Sequence, residues 1–366
     1  MAIAAAALAA HARALLEAGG LQADIAHDVA EVLVEGDLLG HDTHGLALLP
    51  AYLGELQKGS MARVGTWEVV NQRGATATWD GRRLPGPWLV LRAIEEAADM
   101  ARAQGTGTVT IRRSHHIACL AAYLTRTTDQ GLAILLSCSD PNAASVAPFG
   151  GTRAVFTPNP LALGFPTERD PVLVDISASL TTNGMTGRLH RQGRTLGHEW
   201  LLDGAGAPSA DPAVLFTDPP GTILPLGGVD AGHKGYGLAL LVEMLTGGLS
   251  GFGRADPKEG WGATVFVQVL DPDAFGGRAA FTRQMQAVAD ACHASPPRPG
   301  AGAERCWKKR AYLCQRGLLP AWNMGMNSYS ASYGISPTQA TFGYFARRLR
   351  MSFFVPSCMS PLVLFT

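Results

Sequence analysis

The sequence predicts an α+β fold: a helical domain from the chain ends plus a central mixed-sheet domain with covering helices, not a Rossmann domain. Three observations lead there. Two stretches, residues 2–18 and 22–37, repeat apolar positions every three or four residues, and Gly19-Gly20 stands between them as a stop signal. From residue 75 onward, short apolar or β-branched runs alternate with helical patterns. The chain's 43 glycines never produce strand, G-x-G-x-x-G and helix in that order, the signature of a Rossmann dinucleotide site.

Taken in order, residues 2–18 and 22–37 read as an antiparallel helix pair, and Leu46 to Leu56 continues as a short helix. ATATW (75–79) opens the sheet region. A helix follows over about 87–104, then the strand TVTIRR (108–113), a helix over about 116–128 and the strand LAILLS (132–137). Further strands are expected at 153–157, 171–176 and 263–269, with helices at about 235–248 and 274–293. The last helix is read as returning to the first lobe. SPPRPGAGAE (295–304) then reads as a linker. The resulting division is a helical domain over 1–70 completed by about 270–304, a central domain over 71–269 that holds the cofactor, and a tail over 305–366.

The chain has 366 residues, 30 basic and 30 acidic, with 47% hydrophobic and 16% charged residues. Such a balance carries no mark of a nucleic-acid partner. The neutrality is uneven, however. Residues 305–366 contain no Asp or Glu and eight Lys or Arg, which leaves 22 basic against 30 acidic in the first 304. The tail also holds three of the six cysteines and four of the seven tyrosines, so it reads as a frameshifted, fused or disordered segment.

The cysteines show no C-x-x-C spacing and the histidines no H-x-x-x-H spacing, so no metal site is expected and a reducing cytoplasm is the expected location. MAIAAAALAAHARALLEAGG lacks the basic start of a signal peptide, and the apolar stretch 235–253 is broken by Glu243 and several glycines. No membrane partner is expected either.

Two clusters hold four of the ten histidines: His41-Asp42-Thr43-His44-Gly45 and Ser114-His115-His116. Imidazole titrates near neutrality, which suits a group that exchanges a proton with substrate. Helix capping by Asp42 or Thr43 with surface histidines explains the first cluster at least as well, and a buried, backbone-satisfied histidine explains the second equally. Gly232-His233-Lys234-Gly235-Tyr236-Gly237 places small residues and a lysine at a helix start, where exposed amides favour an anion. A plain glycine-rich turn fits that stretch too. Asp175 ends an apolar run, and Ser179 and Thr181 follow it; they offer oxygens to a ribose or phosphate, or a simple turn cap. Asn159 lies in a rigid loop between two prolines, where turn chemistry is the competing account.

The strings GDLLGHDTHGLALLPAYL, SHHIACLAAYL, VAPFGGTRAVFTPNPLA, VLVDISAS, ILPLGG and HKGYGLAL together resemble the malate/L-lactate/L-sulfolactate dehydrogenase-like oxidoreductases from about residue 5 to about residue 295. The resemblance implies a homodimeric enzyme that uses NAD or NADP on a non-Rossmann fold, with a small-molecule substrate. It implies roles by position. His44 matches the histidine of the family's S/T-H-G motif, and His116 that of its second motif. Asp175, Ile176, Ser177, Ser179 and Thr181 match one cofactor-binding segment, and His233, Lys234 and Gly235 another. Thr43, His44 and Asn159 fall on substrate-side positions.

Three departures stand out. Leu48 replaces an arginine that many relatives place four residues after the histidine, Thr157-Pro158 replaces Gly-Thr, and Ala118 stands where relatives often have glycine. The implied reaction is reversible hydride transfer between the nicotinamide and C2 of a 2-oxo or 2-hydroxy acid of malate, lactate or sulfolactate type. In it His116 is the first choice for the proton, His44 polarises the carbonyl or exchanges roles with it, and Asp175 orients His44. Lys234 holds a cofactor phosphate. Relatives that reduce cyclic imino acids or diketo sugar acids, and a degraded binding protein of the same fold, are the alternatives.

Overall fold

The computed structural model of the chain describes residues 3–296. The atypical tail, 305–366, lies outside the described residues. Helices α1 (Ala5–Ala18) and α2 (Ala23–Leu38) form the expected pair, broken where Gly20 adopts φ 90°. A 3-10 turn, Leu46–Leu48, leads into α3 (Leu49–Lys58), which ends at Gly59 in the left-handed region.

The hairpin β1 (Glu68–Arg73) and β2 (Thr76–Asp80) follows, then α4 (Gly86–Gln104), β3 (Thr106–Ser114), α5 (Ala121–Thr128) and β4 (Ala133–Ser139). Next come β5 (Leu161–Phe165), β6 (Val172–Ile176) and α6 (Asn183–Arg191). A small sheet of β7 (Leu201–Leu202), β8 (Pro208–Ser209) and β9 (Thr222–Ile223) precedes α7 (Gly228–Ala231) and α8 (His233–Glu243). The elements close with β10 (Ala263–Leu270) and α9 (Arg278–Ala294).

Seven strands make one mixed sheet in the order β1-β2-β3-β10-β4-β5-β6. Only β2 and β3 run parallel, joined by α4 as the crossover; every other neighbouring pair is antiparallel. α4 lies against β3 so closely that a Cβ on Gly107 would come within 2.0 Å of the Ala97 carbonyl oxygen. The main core gathers Ile25, Val29 and Leu33 of α2, Leu89, Ala93 and Ala97 of α4, Val109 and Ile111 of β3, and Val265 and Val267 of β10, all buried. Each such large aliphatic side chain stabilises the fold by about 1.5–3 kcal/mol relative to its exposed state. A second, smaller cluster of Val146, Phe156, Ala178, Leu201, Ile223 and Ala239 ties the small sheet to α8.

Several expectations need correction. Residues 153–157 form no strand; only the single bridge Val146 to Phe156 is present there. The helix expected from 116 starts at Ala121, so His116 lies in an irregular segment rather than opening a helix. The α8 helix reaches Glu243 and continues as a π turn, Met244–Gly248. α9 meets the β5–β6 end of the sheet, where Phe281 packs edge-on to Phe165 and Asp290 pairs with Arg169. No helix among the described residues is long and apolar enough to cross a membrane.

Candidate active site

The first histidine loop hangs from the end of α2. Asp37, in the last turn of that helix, accepts the Leu46 N–H through Oδ2 at 3.0 Å and so folds residues 41–45 back over the helix. Gly45 keeps this approach tight: a Cβ there would lie 2.0 Å from Asp37 Oδ1, so Asp37 would have to move. Burial pushes the Asp37 carboxyl up to about 6, and the charge of Asp42 adds to the rise; the Leu46 amide opposes both. Asp42 in turn pairs with Arg188 of α6 at 2.8 Å, which brings Gly184 alongside Thr43 and His44. The Thr43 hydroxyl sits 2.8 Å from His44 Nδ1.

The second loop leaves β3 at Ser114. A Cβ on Gly86 would lie 2.4 Å from the His116 carbonyl oxygen and 2.5 Å from that of His115, so only glycine lets the start of α4 reach this segment. Tyr52 of α3 donates to the His116 carbonyl oxygen at 3.1 Å, and its hydroxyl is also 3.0 Å from His116 Nδ1. The Ala118 N–H donates to the same Nδ1 at 3.2 Å. To do so Ala118 adopts φ 59°, the left-handed conformation in which glycine is at ease and alanine is strained. The family's glycine at this position thus has a physical reason.

These two loops bring His44 and His116 together, with ring centres 5.9 Å apart and planes 27° from parallel. Trp261, in the approach to β10, leans on His116 at 4.6 Å and on His115 at 5.2 Å. Burial holds the His44 imidazole below its ordinary pKa, against the pull of the nearby Asp175 carboxylate. Burial pushes His116 well down, and its imidazole neighbours His44 and His115 add to the effect. His115 is held at about 4, first by burial and then by the Arg83 charge, and its ring lies wholly inside the protein. It belongs to the aromatic support and not to the accessible pair. Asp175, at the end of β6, accepts the Ala121 N–H at 2.9 Å and faces Cys119 Sγ at 3.7 Å.

The stretch expected to hold cofactor runs on from Asp175. Ser177 and Ser179 spend their hydroxyls on the backbone, on Ser179 O and Thr181 O, while Ile176 is exposed. Thr181 Oγ1 is buried with no hydrogen-bond partner among the described residues. Gly235 brings the start of α8 against this stretch: a Cβ there would meet Leu226 N at 2.2 Å and Ala178 O at 2.6 Å. His233, edge-on to Phe149 at 5.7 Å, and Lys234 are both exposed at the same helix start. A helix start with an exposed lysine suits a phosphate-bearing ligand.

Asn159 does not join the histidine pair. Its amide donates to Glu243 Oε1 at 2.8 Å and to Ala239 O, and its oxygen accepts from Thr157, so its side chain is committed to fixing the loop against α8. Leu48 is half-buried and packs on the main core. Sequence reasoning passed over Tyr52, Gly86 and Trp261. Their signal is three-dimensional: none stands near a histidine cluster along the chain except Tyr52, and nothing local aims it at His116.

The description "Malate/L-lactate dehydrogenase" belongs to the family model that matches residues 3–306. The chain belongs to that family. The match stops where the acidic residues of the sequence run out. Among curated relatives, the L-lactate dehydrogenase of Cupriavidus necator is 34% identical over 296 residues, which is 79% of this chain and 84% of that protein. Among solved structures, a putative malate/lactate dehydrogenase from E. coli superposes with TM-score 0.79 and 26% identity, over 96% of this chain and all of the other. The delta1-piperideine-2-carboxylate reductase of Pseudomonas syringae pvar. tomato superposes with TM-score 0.75 and 26% identity, over 95% and 99% of the two chains. Members of the malate/L-lactate dehydrogenase family are thus similar to this chain along most of their length.

Proposed function

We propose that this family member is a dehydrogenase that interconverts a small 2-oxo acid and its 2-hydroxy acid, of lactate, malate or sulfolactate type, with NAD or NADP. The observation that carries the reading is the stacking of His44 on His116, two imidazoles from separate loops, beside a carboxylate. The nicotinamide, when bound, supplies or takes the hydride at C2. The Asp175–Thr181 stretch would hold it together with Lys234, whose ammonium suits a cofactor phosphate. The cofactor is then gripped outside any doubly wound parallel sheet.

Proton transfer falls to the histidines. Because the Ala118 amide can only donate, His116 Nδ1 must carry a lone pair, and the neutral ring keeps its proton on Nε2. Such a ring is a hydrogen-bond donor to a substrate carbonyl, and protonating it fully would break the Ala118 bond. His44 has no such restriction, since the Thr43 hydroxyl can either donate or accept. We therefore assign proton exchange to His44, favoured by Asp175, and polarisation of the oxygen to His116, the exchanged form of the roles expected from sequence. The aromatic wall of Tyr52 and Trp261 keeps the His116 ring in place.

A second reading, reduction of a cyclic imino acid, is favoured by the fold shared with the Pseudomonas reductase. The free thiols Cys119, Cys138 and Cys292 suit a cytoplasmic location. Exposed Leu240, Leu241 and Met244 along α8 suit a homodimer contact. The deciding experiment follows NADH and NADPH oxidation with pyruvate, oxaloacetate, sulfopyruvate and a cyclic imine. His44→Ala and His116→Ala are each expected to lower kcat by roughly 10²–10⁴-fold. Near-normal turnover in both variants would overturn the proposal.

A further inference from the structure

We propose that His41, Cys119 and Asp175 form a binding site for a thiophilic divalent cation of the zinc class. The site goes beyond the dehydrogenase reading and does not depend on it. One imidazole nitrogen, one sulfur and one carboxylate oxygen from these residues lie within 4.8 Å of one another. They come from three places in the fold: the loop after α2, the segment between β3 and α5, and the end of β6. The sequence spacing hides them, since no two are near neighbours along the chain.

Geometry and charge both fit. A tetrahedral zinc ion with bonds of about 2.0–2.3 Å holds its ligand atoms about 3.3–3.8 Å apart. Cys119 Sγ and Asp175 Oδ2 are already 3.7 Å apart. The remaining edges need to shorten by at most about 1.5 Å, within the reach of side-chain rotation. A thiolate, a carboxylate and a neutral imidazole sum to the charge that cancels a dication, so the filled site is neutral in a buried setting. Without a cation the thiol stays protonated, because burial and the Asp175 charge both oppose its ionisation. The Ala121 N–H on Asp175 Oδ2 is the kind of outer hydrogen bond that orients a ligating carboxylate.

Binding releases the Cys119 proton to solvent as the metal–sulfur bond forms. It also ties His41 and Asp175 together.

The test uses the full-length chain after chelator treatment, titrated with cobalt(II) as a coloured substitute for zinc. The expected result is one bound equivalent with a sulfur-to-cobalt charge-transfer band, and proton release measured in weakly buffered solution. Cys119→Ser should abolish the band. His41→Ala, an independent change on a loop, should weaken cobalt binding at least roughly tenfold, the lower end of what loss of even an outer partner costs. Unchanged near-ultraviolet circular dichroism of the metal-free variants keeps folding out of the comparison. A titration without the band overturns the proposal. So does a band that survives in Cys119→Ser, which would come from another thiol such as exposed Cys292, or binding of full strength in His41→Ala.

Discussion

The histidine end of the site and its glycine-rich end are built on opposite principles. Around His44 and His116 the structure is tightly determined: Tyr52 and Trp261 pack on His116, Gly86 admits backbone where no side chain fits, and Ala118 is held in a strained conformation. Around Lys234 it is open, with an exposed lysine and an exposed Ile176. The difference teaches that one end is preorganised to act on reacting atoms, and the other is left polar and accessible for a ligand to complete.

That contrast can be broken from either side. An effect on both stability and turnover is expected from Gly86→Ala, whose new methyl collides with the backbone carbonyls of His115 and His116. It should destabilise the fold by about 1–3 kcal/mol and lower kcat. Thermal melts and steady-state kinetics read both, and an unchanged melt would mean that α4 gives way freely. Lys234→Ala is expected to act at the open end alone. Loss of a charged hydrogen bond of about 1.5–3 kcal/mol raises the cofactor KM by roughly tenfold or more and leaves kcat unchanged. A fall in kcat with constant KM would move Lys234 to the chemical step.

Ala118→Gly sharpens the comparison by relieving strain at the rigid end. It should stabilise the chain by about 1 kcal/mol, read as a rise in the denaturant midpoint. A lower midpoint would mean that the alanine methyl contributes packing worth more than the strain.

A further effect is expected in the pH dependence of stability. Asp37 titrates at about 6 in the fold against 3.8 unfolded, so its contribution is present below about 4 and is lost as pH rises through about 6. His115 runs the other way: held at about 4 against 6.5, its contribution is present above 6.5 and is lost as pH falls toward 4. The two oppose each other between pH 4 and 6. Asp37→Asn removes the first and should steepen the loss of thermal stability on acidification across that window. Melting temperatures that stay parallel to those of the parent chain would exclude Asp37 from the balance.

What sequence reasoning reads well here is what local chemistry decides. The helix pair with its Gly19-Gly20 break, α4 and β10 carry strong periodicity of their own, and they stand within one to three residues of expectation. β1 is not legible in the sequence, because it is exposed along its whole length and shows no apolar alternation. α5 starts later than the sequence suggests because Ala118 turns its N–H back onto the ring of His116, which Tyr52 holds from α3, far away in sequence. In the site, the motif histidines were legible. Their tautomers, their aromatic wall and the retreat of Asn159 into a bond with Glu243 were not, since each depends on which strand lies beside which.

The strand order holds one more consequence. The middle position of the seven-stranded sheet belongs to β10, the last strand among the described residues to leave the ribosome, and both β3 and β4 wait for it with bare edges. Until residue 270 has emerged, the nascent chain is two half-sheets whose unpaired amides invite strangers. Assembly of this enzyme is therefore a closing act rather than a steady accretion, and its most aggregation-prone moment comes just before completion.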